Sequence, residues 1–490
     1  MNSGMVYFVG AGPGDIDLIT VKGKQVLQQA DVVIFDRLIN PFLLTDVKDD
    51  AKLIYCGKQP CKHTLRQEDI QKEILIHARK GKTVVRLKGG DPAVFGRVGE
   101  EAELLAENHI RYEIIPGITA GIAATMYAGV PITHRKHSNS FAVVTGHGSR
   151  KDGTPNVDWK SLSKGVETIV FYMGVKHLNT ISEQLIKHGK GRDTQALVVH
   201  WGTYSKQRTV EGTLATITSK VEQANITNPA IIVVGDVVKL RSKLAWFDNR
   251  LLSGRAILIP SINERNREMV TTLKKDGADV FEHELLCERD HFDSGAVNDL
   301  LKMESDNELV FLSTKSVFAF LKGLVENGMD VRDIQLPFYS INESVKKTLQ
   351  TIGIKSKLID MSVISPVLVG DETEIESERA TLSPLAKGIV VRKKNVSNKD
   401  IAAFTRLLEE RHINTILLTS PAEALIFLKF LELSGIPLEQ VQENVTIICK
   451  GIDTNLILKK SNIRGDMIID NEDVAEAIGK IEEAELALES

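Results

Sequence analysis

At 490 residues the chain is too long for one ordinary core, and its size predicts two to four domains. With 42% hydrophobic and 26% charged residues it has the composition of a soluble globular protein, and a formal charge of -4 gives no overall attraction to nucleic acid. Three tryptophans and seven tyrosines are too few for extended base-stacking platforms, and no apolar run is long enough to span a bilayer.

In chain order, a short apolar strand is expected at residues 5–9, running into Gly10-Ala11-Gly12-Pro13-Gly14-Asp15. Residues 1–12 carry no basic stretch, so no signal peptide is expected. Helical periodicity follows over 20–29, then a buried strand at 32–35. Residues 83–87 form another strand, ending in Lys88-Gly89-Gly90-Asp91-Pro92; a helix over 100–108 precedes a strand at 112–115. This alternation predicts an α/β fold. Residues 117–129 read as a small-residue helix broken by Val130-Pro131-Ile132, and strands follow at 141–145, 168–172, 195–200 and 230–234. Several glycine or polar turns fall at strand carboxyl ends, where open α/β sheets bind ligands.

A first domain break is expected near Pro116, and residues 239–253 read as a link to a second unit. A strand at 256–260 and a helix over 264–276 restart the pattern. Strand, polar turn and helix then occur twice, from 309–314 and from 415–421, which predicts two related small α/β domains. The five acids within 371–378 read as a solvated face or loop, and the tail from Glu472 as an acidic helix. Cys56, Cys61, Cys287 and Cys449 lack metal-ligand spacing, so reduced thiols, a cytoplasmic location and no metal site are expected.

The Gly10 turn is not a dinucleotide fingerprint. Pro13 stiffens it, Gly14 comes one residue early, and only Asp36 could serve as the ribose-binding acid. The other reading, a backbone turn brought close to an adenosyl ligand or substrate, is favoured mostly by the motifs that follow. Gly89 and Gly90 likewise let backbone approach a ligand, Pro92 fixes a dihedral, and Asp91 and Arg97 put opposite charges beside the turn. The alternative is a tight turn held by an Asp91–Arg97 pair. From Lys58 to Arg97 there are ten lysines and arginines against four acids, a local excess that reads either as a solvated helix surface, as for Arg79, Lys80 and Lys82, or as cations for a carboxylate-bearing ligand.

These stretches, with Phe95-Gly96-Arg97, Pro116-Gly117-Ile118-Thr119, Ala128 to Arg135, Val143 to His147, Tyr172-Met173-Gly174, Gly202-Thr203, Asn228-Pro229-Ala230 and Gly235 to Val238, resemble the uroporphyrinogen-III C-methyltransferases. That family belongs to the wider tetrapyrrole and precorrin methyltransferase group. The resemblance runs from residue 5 to about 240 and implies two α/β domains, at 1–116 and 117–245, with a cleft between them. It implies a homodimer, S-adenosylmethionine as cofactor and S-adenosylhomocysteine as its product. It further implies methylation of uroporphyrinogen III at carbons 2 and 7 to precorrin-2, on the route to sirohaem or cobalamin.

Carried over by position, the cofactor residues are Gly12, Pro13, Gly14, Gly89, Gly90, Asp91, Thr119, Ala120, Met173, Gly202, Thr203, Pro229 and Ala230. Lys58, His63, Lys88, Arg97 and His134 are expected to bind the eight carboxylates of the substrate, although His134 could equally make a structural hydrogen bond. Asp36, Asp91 and Arg86 are the catalytic candidates: Asp36 for pyrrole N–H recognition or proton handling, against its rival reading as a surface aspartate beside Arg37. Gln59, Ala93, Val98 and Ala120 depart from the family pattern, and the changes at Gln59 and Ala93 put substrate grip or rate in question.

Residues 254–284 plus 394–485, and 285–393, resemble the two small domains of a uroporphyrinogen-III synthase, through Phe311-Leu312-Ser313 and Leu418-Thr419-Ser420-Pro421. Hydroxymethylbilane would then be a second substrate. Pro260, Ser261, Lys315 and Cys449 depart from that pattern. A bifunctional enzyme and a non-catalytic tetrapyrrole-binding protein are the competing readings.

Overall fold

The computed structural model describes residues 4–57, 66–148, 155–261, 266–292, 295, 307–360, 363–382, 384–463, 465–469 and 474–479. The chain divides into two compact units, 1–285 with 398–490, and 286–397.

The larger unit begins with a parallel sheet of β1 (Met5–Gly10), β2 (Val32–Phe35), β3 (Lys52–Tyr55), β4 (Thr83–Lys88) and β5 (Arg111–Ile115), ordered β3-β2-β4-β1-β5. Its central strands are near-continuous apolar runs because both faces are covered. Alternate side chains separate the two cores: Val33, Phe35, Val85 and Leu87 on one face, Val32, Ile34 and Val84 on the other. The second face packs on the helices Gln67–Arg79 and Val98–Glu107. In the latter, Val98, Glu101, Ala102 and Leu105 share the buried stripe, a one-face helical spacing that carries an acid inward with the apolar residues. The first face also receives Ala403, from the distant Asn398–Glu409 helix.

A second sheet contains β6 (Phe141–Thr145), β7 (Thr168–Tyr172), β8 (Gln195–His200), β9 (Arg208–Thr213) and β10 (Ala230–Val234), in the order β6-β7-β10-β8-β9. Only β6 and β7 pair in parallel; the remaining pairings are antiparallel. The Ala120–Tyr127 helix packs Ala124 and the following Ala128 against one face, beside Val170, Ile231 and Val233.

The same unit holds a third, parallel sheet built from Ala256–Pro260, Asp279–His283, Thr415–Leu418, Thr446–Lys450 and Met467–Ile469. Residues 239–253, expected as a link, are packed rather than loose. Arg241 donates to the Ala128 carbonyl and to Glu211 and Asp248, each at 2.6 Å, and Phe247 and Leu252 are buried.

The smaller unit is a six-stranded sheet flanked by helices, with Cys287–Asp290 antiparallel at one edge. Its acidic stretch forms the Glu372–Thr381 helix, capped by Asp371, and Glu374 accepts from Ser316 Oγ at 3.1 Å. No helix among the described residues is long and apolar enough to cross a membrane.

Candidate functional site

The parallel sheet directs the turns after β1, β2, β4 and β5 to one edge. There the backbones of Gly12 and Gly90 pair with each other. Gly117 lies so close that a Cβ on it would sit 2.2 Å from the Gly90 carbonyl oxygen, so no other residue fits without moving a strand end. Asp91 ties this corner together: one carboxylate oxygen accepts from Ala93 N at 2.7 Å and the other from Gly117 N at 3.0 Å. Arg97 does not pair with Asp91; its guanidinium meets Glu100 at the surface.

The corner opens into a cleft of about 520 Å³, within the roughly 300–1,000 Å³ range of small-molecule sites. Of the residues named from sequence, Gly12, Pro13, Asp36, Lys88, Gly89, Gly90, Asp91, Thr119, Ala120, Met173, Gly202, Pro229 and Ala230 line it. Five others are placed elsewhere. Gly14 sits against the Tyr204 ring, and Thr203 Oγ1 accepts from Asp15 N at 3.1 Å. His134 belongs to a turn with Ser138, Arg97 is exposed with Glu100, and Arg86 stands behind Asp36. Lys58 and His63 lie outside the described residues.

Tyr172, Phe95, Trp201 and Tyr204 also line the cleft and were not singled out as site residues. The signal was adjacent, since Tyr172 and Trp201 directly precede Met173 and Gly202. Tyr172 Oη meets Thr119 Oγ1 at 2.6 Å and also accepts from Gly121 N. Burial pushes this phenol's pKa up. Phe95, Met173, Trp201 and Thr203 adopt positive φ (56°, 56°, 48° and 72°), conformations that L side chains hold only when their surroundings over-determine them. Their concentration in the loops around one cleft marks it as a built site.

Behind the cleft wall lies a charged cluster. Lys88 Nζ donates to both oxygens of Glu101, at 3.0 and 3.1 Å, and Gln67 Nε2 adds a third bond to Glu101 at 2.7 Å. Arg86 Nη2 bonds Asp36 Oδ1 at 2.5 Å, and its Nε lies 3.7 Å from Glu101. Arg86, Lys88 and Glu101 are almost fully buried, while Asp36 is a third exposed toward the cleft. Burial disfavours the Arg86 charge, but Asp36 and Glu101 more than offset it and the guanidinium pKa is raised. Burial, then repulsion from Arg86, lowers that of Lys88 despite Glu101. Two cations thus meet two internal carboxylates, which fixes Asp36 in its outward orientation. Among the described residues no group of three or more His, Cys, Asp or Glu side chains could hold a metal ion.

A family model described as Tetrapyrrole (Corrin/Porphyrin) Methylases matches residues 5–218. The uroporphyrinogen-III C-methyltransferase of Priestia megaterium is 57% identical over 236 residues, which are 48% of this chain and 98% of that protein. A uroporphyrinogen-III C-methyltransferase of Bacillus subtilis (strain 168) is 43% identical over 379 residues, 77% of each chain. That alignment is longer than everything before residue 254, so the likeness continues into the C-terminal half. A uroporphyrin-III C-methyl transferase from Thermus thermophilus, solved complexed with S-adenyl homocysteine, is 34% identical; the match covers 48% of this chain and 94% of that one, with a TM-score of 0.42. The extent of the B. subtilis match settles the assignment: the chain belongs to the uroporphyrinogen-III C-methyltransferases, within the tetrapyrrole (corrin/porphyrin) methylase family.

Proposed function

We propose that the chain transfers two methyl groups from S-adenosylmethionine to carbons 2 and 7 of uroporphyrinogen III, giving precorrin-2, a precursor for sirohaem and cobalamin. The observation that carries this reading is one cleft of small-molecule size lined by both the close-packed glycine turns and Asp36.

The residues fit the cofactor. The backbone of Gly12, Gly89 and Gly90 gives an adenosyl ligand unobstructed amides and carbonyls, Tyr172 and Thr119 offer hydroxyls, and Met173, Ala230 and Ile231 give apolar walls. When bound, the sulfonium supplies an already activated methyl group, so no metal is needed. The protein's part is alignment and exclusion of water. Asp36, anchored by Arg86, accepts from a pyrrole N–H and holds the ring that carries the reacting carbon; it is also the carboxylate assigned to take the proton released afterwards. Lys88, held by Glu101, stands behind the wall beside it. Lys58, His63, Arg97 and His134 are assigned to the substrate carboxylates on the resemblance alone.

We assign 1–116 and 117–245 as the methyltransferase domains, acting as a homodimer, with 254–284 plus 394–485 and 285–393 as the synthase-like pair. A second reading, in which the chain also cyclises hydroxymethylbilane, is favoured by matched strand–helix turns: Ser313 and Ser420 each cap the following helix, accepting from Ser316 N and Glu423 N. Isomer III formation above the spontaneous rate by the intact chain tests it. For the main reading the test is calorimetry with S-adenosylhomocysteine. One ligand per chain without added metal is expected, and binding of NAD in its place overturns the class.

A further inference from the structure

The wall of the cleft nearest β8 and β9 is the loop of residues 201–206, from which Trp201, Gly202 and Tyr204 line the cavity. Trp201 and Thr203 hold positive φ there, so the loop depends on outside support to keep its shape. Much of that support comes from residues after 253, well beyond the matched methylase region. Asp279 Oδ2 accepts from Ser205 N at 2.7 Å, and Gly254 N donates to Ser205 O at 3.0 Å. Lys206 Nζ donates to the carbonyls of Glu410 at 3.0 Å and Arg411 at 3.2 Å, while lying 4.1 Å over the Trp201 ring. The buried His412 ring stands perpendicular to Trp201, with centroids 5.1 Å apart, and 4.8 Å from Tyr204. On its other side Tyr204 presses on Gly14, where an added Cβ would come within 2.2 Å of the ring.

The neighbouring wall is supported from the same direction. Arg406, one turn before Glu410 on the Asn398–Glu409 helix, lies 3.9 Å over the Tyr55 ring and donates to the Arg37 carbonyl at 3.4 Å, beside Asp36. Two walls of the cleft are therefore tied to one helix and the turn that follows it.

We propose that the C-terminal half is a positioning element for methyl transfer: residues 410–412, with Gly254 and Asp279, hold the 201–206 loop in the shape that binds the methyl donor. This role is independent of any synthase chemistry, and it rests on the cleft being the S-adenosylmethionine site. Lys206 and His412 are positioning residues that act through Trp201 and Tyr204. Neither side chain hydrogen-bonds Asp36, the residue assigned to the substrate pyrrole.

The experiment uses the full chain. Lys206→Met and His412→Ala are compared with wild type for S-adenosylhomocysteine affinity by calorimetry and for steady-state constants. Both variants are expected to weaken affinity and raise KM for S-adenosylmethionine by roughly tenfold, the scale of a lost charge-assisted bond, with KM for uroporphyrinogen III unchanged. Lys206→Arg, which can still donate to two carbonyls and stack on Trp201, should recover most of the loss. Lys322→Met, at an exposed ion pair with Asp290 in the smaller unit, should match wild type. Hydrogen exchange on the unmodified chain gives a measurement that does not depend on a variant folding: ligand should protect residues 410–412 as well as 201–206, because coupling is reciprocal. Failure of the wild type to bind S-adenosylhomocysteine overturns the cleft assignment. Wild-type binding with equal affinity in the folded variants, or with no added protection at 410–412, overturns the positioning role alone.

Discussion

Arg86 Nη2 lies 2.5 Å from Asp36 Oδ1, with the guanidinium buried and the carboxylate a third exposed to the cleft. A cation at the end of β4 thus aims an acid at the end of β2, and Glu101 holds that cation and Lys88 from behind. The first prediction concerns the acid. Asp36→Asn keeps the size and one acceptor oxygen but loses the charge and the proton acceptor. Turnover is expected to fall by at least about 10²-fold, the lower range for general acid–base groups, with S-adenosylhomocysteine affinity within about twofold. Steady-state kinetics and calorimetry on the same preparation check this, and turnover near wild type would make Asp36 a wall residue only.

Glu101→Gln should act on stability first. The neutral amide leaves Arg86 and Lys88 with Asp36 as their remaining carboxylate, in a buried site where breaking an ion pair costs about 3–5 kcal/mol. Urea unfolding should show a lower midpoint with an unchanged slope. A midpoint equal to wild type would mean that the cluster is hydrated in solution.

Asp91→Ala removes the acceptor for two backbone amides, Ala93 N and Gly117 N. Because the site is only partly buried, water can replace those bonds, and the stability loss should stay near 1 kcal/mol. Turnover should fall far more, since the Gly89 and Gly117 turns lose their common tie at the cleft edge. Activity surviving within about twofold would reduce Asp91 to an ordinary turn residue.

A pH effect follows from His412. Burial, opposed by Glu410 and reinforced by Lys206, lowers its pKa from 6.5 to about 4. Below pH 6.5 the unfolded chain therefore binds a proton that the folded chain refuses. The stability contributed by the neutral ring is complete above the unfolded value and is lost as pH falls through about 4. Between about pH 7 and about pH 4.5, wild type should lose more stability than His412→Phe, which has nothing to protonate. Parallel losses in urea midpoints would show that the ring is solvated.

The two methyltransferase sheets were legible where strands are short apolar runs covered on both faces, as in β2, β7 and β10. β3 and β9 were missed because both are sheet edges with half-exposed, mixed residues, which leave neither a continuous apolar run nor a clean alternation. The glycine turns that meet at the cleft edge were legible because close approach of two backbones constrains residue type locally. Glu101 was not: one acid on an amphipathic helix reads as solvent-facing until the buried stripe is seen to include it. The tethering of 239–253 by Arg241 was equally hidden, because charged anchors look like linker composition. Contacts such as Lys206 to Glu410 join residues more than two hundred positions apart and leave no local trace.

The account turns on methyl transfer to a tetrapyrrole. The most direct test is anaerobic incubation of the intact protein with S-adenosylmethionine and uroporphyrinogen III, followed by mass analysis of the tetrapyrrole. The account predicts a gain of two methyl groups, with carbon labels from the donor methyl at positions 2 and 7 and one S-adenosylhomocysteine formed per methyl. An unchanged tetrapyrrole mass, from folded protein that binds S-adenosylhomocysteine, would contradict it.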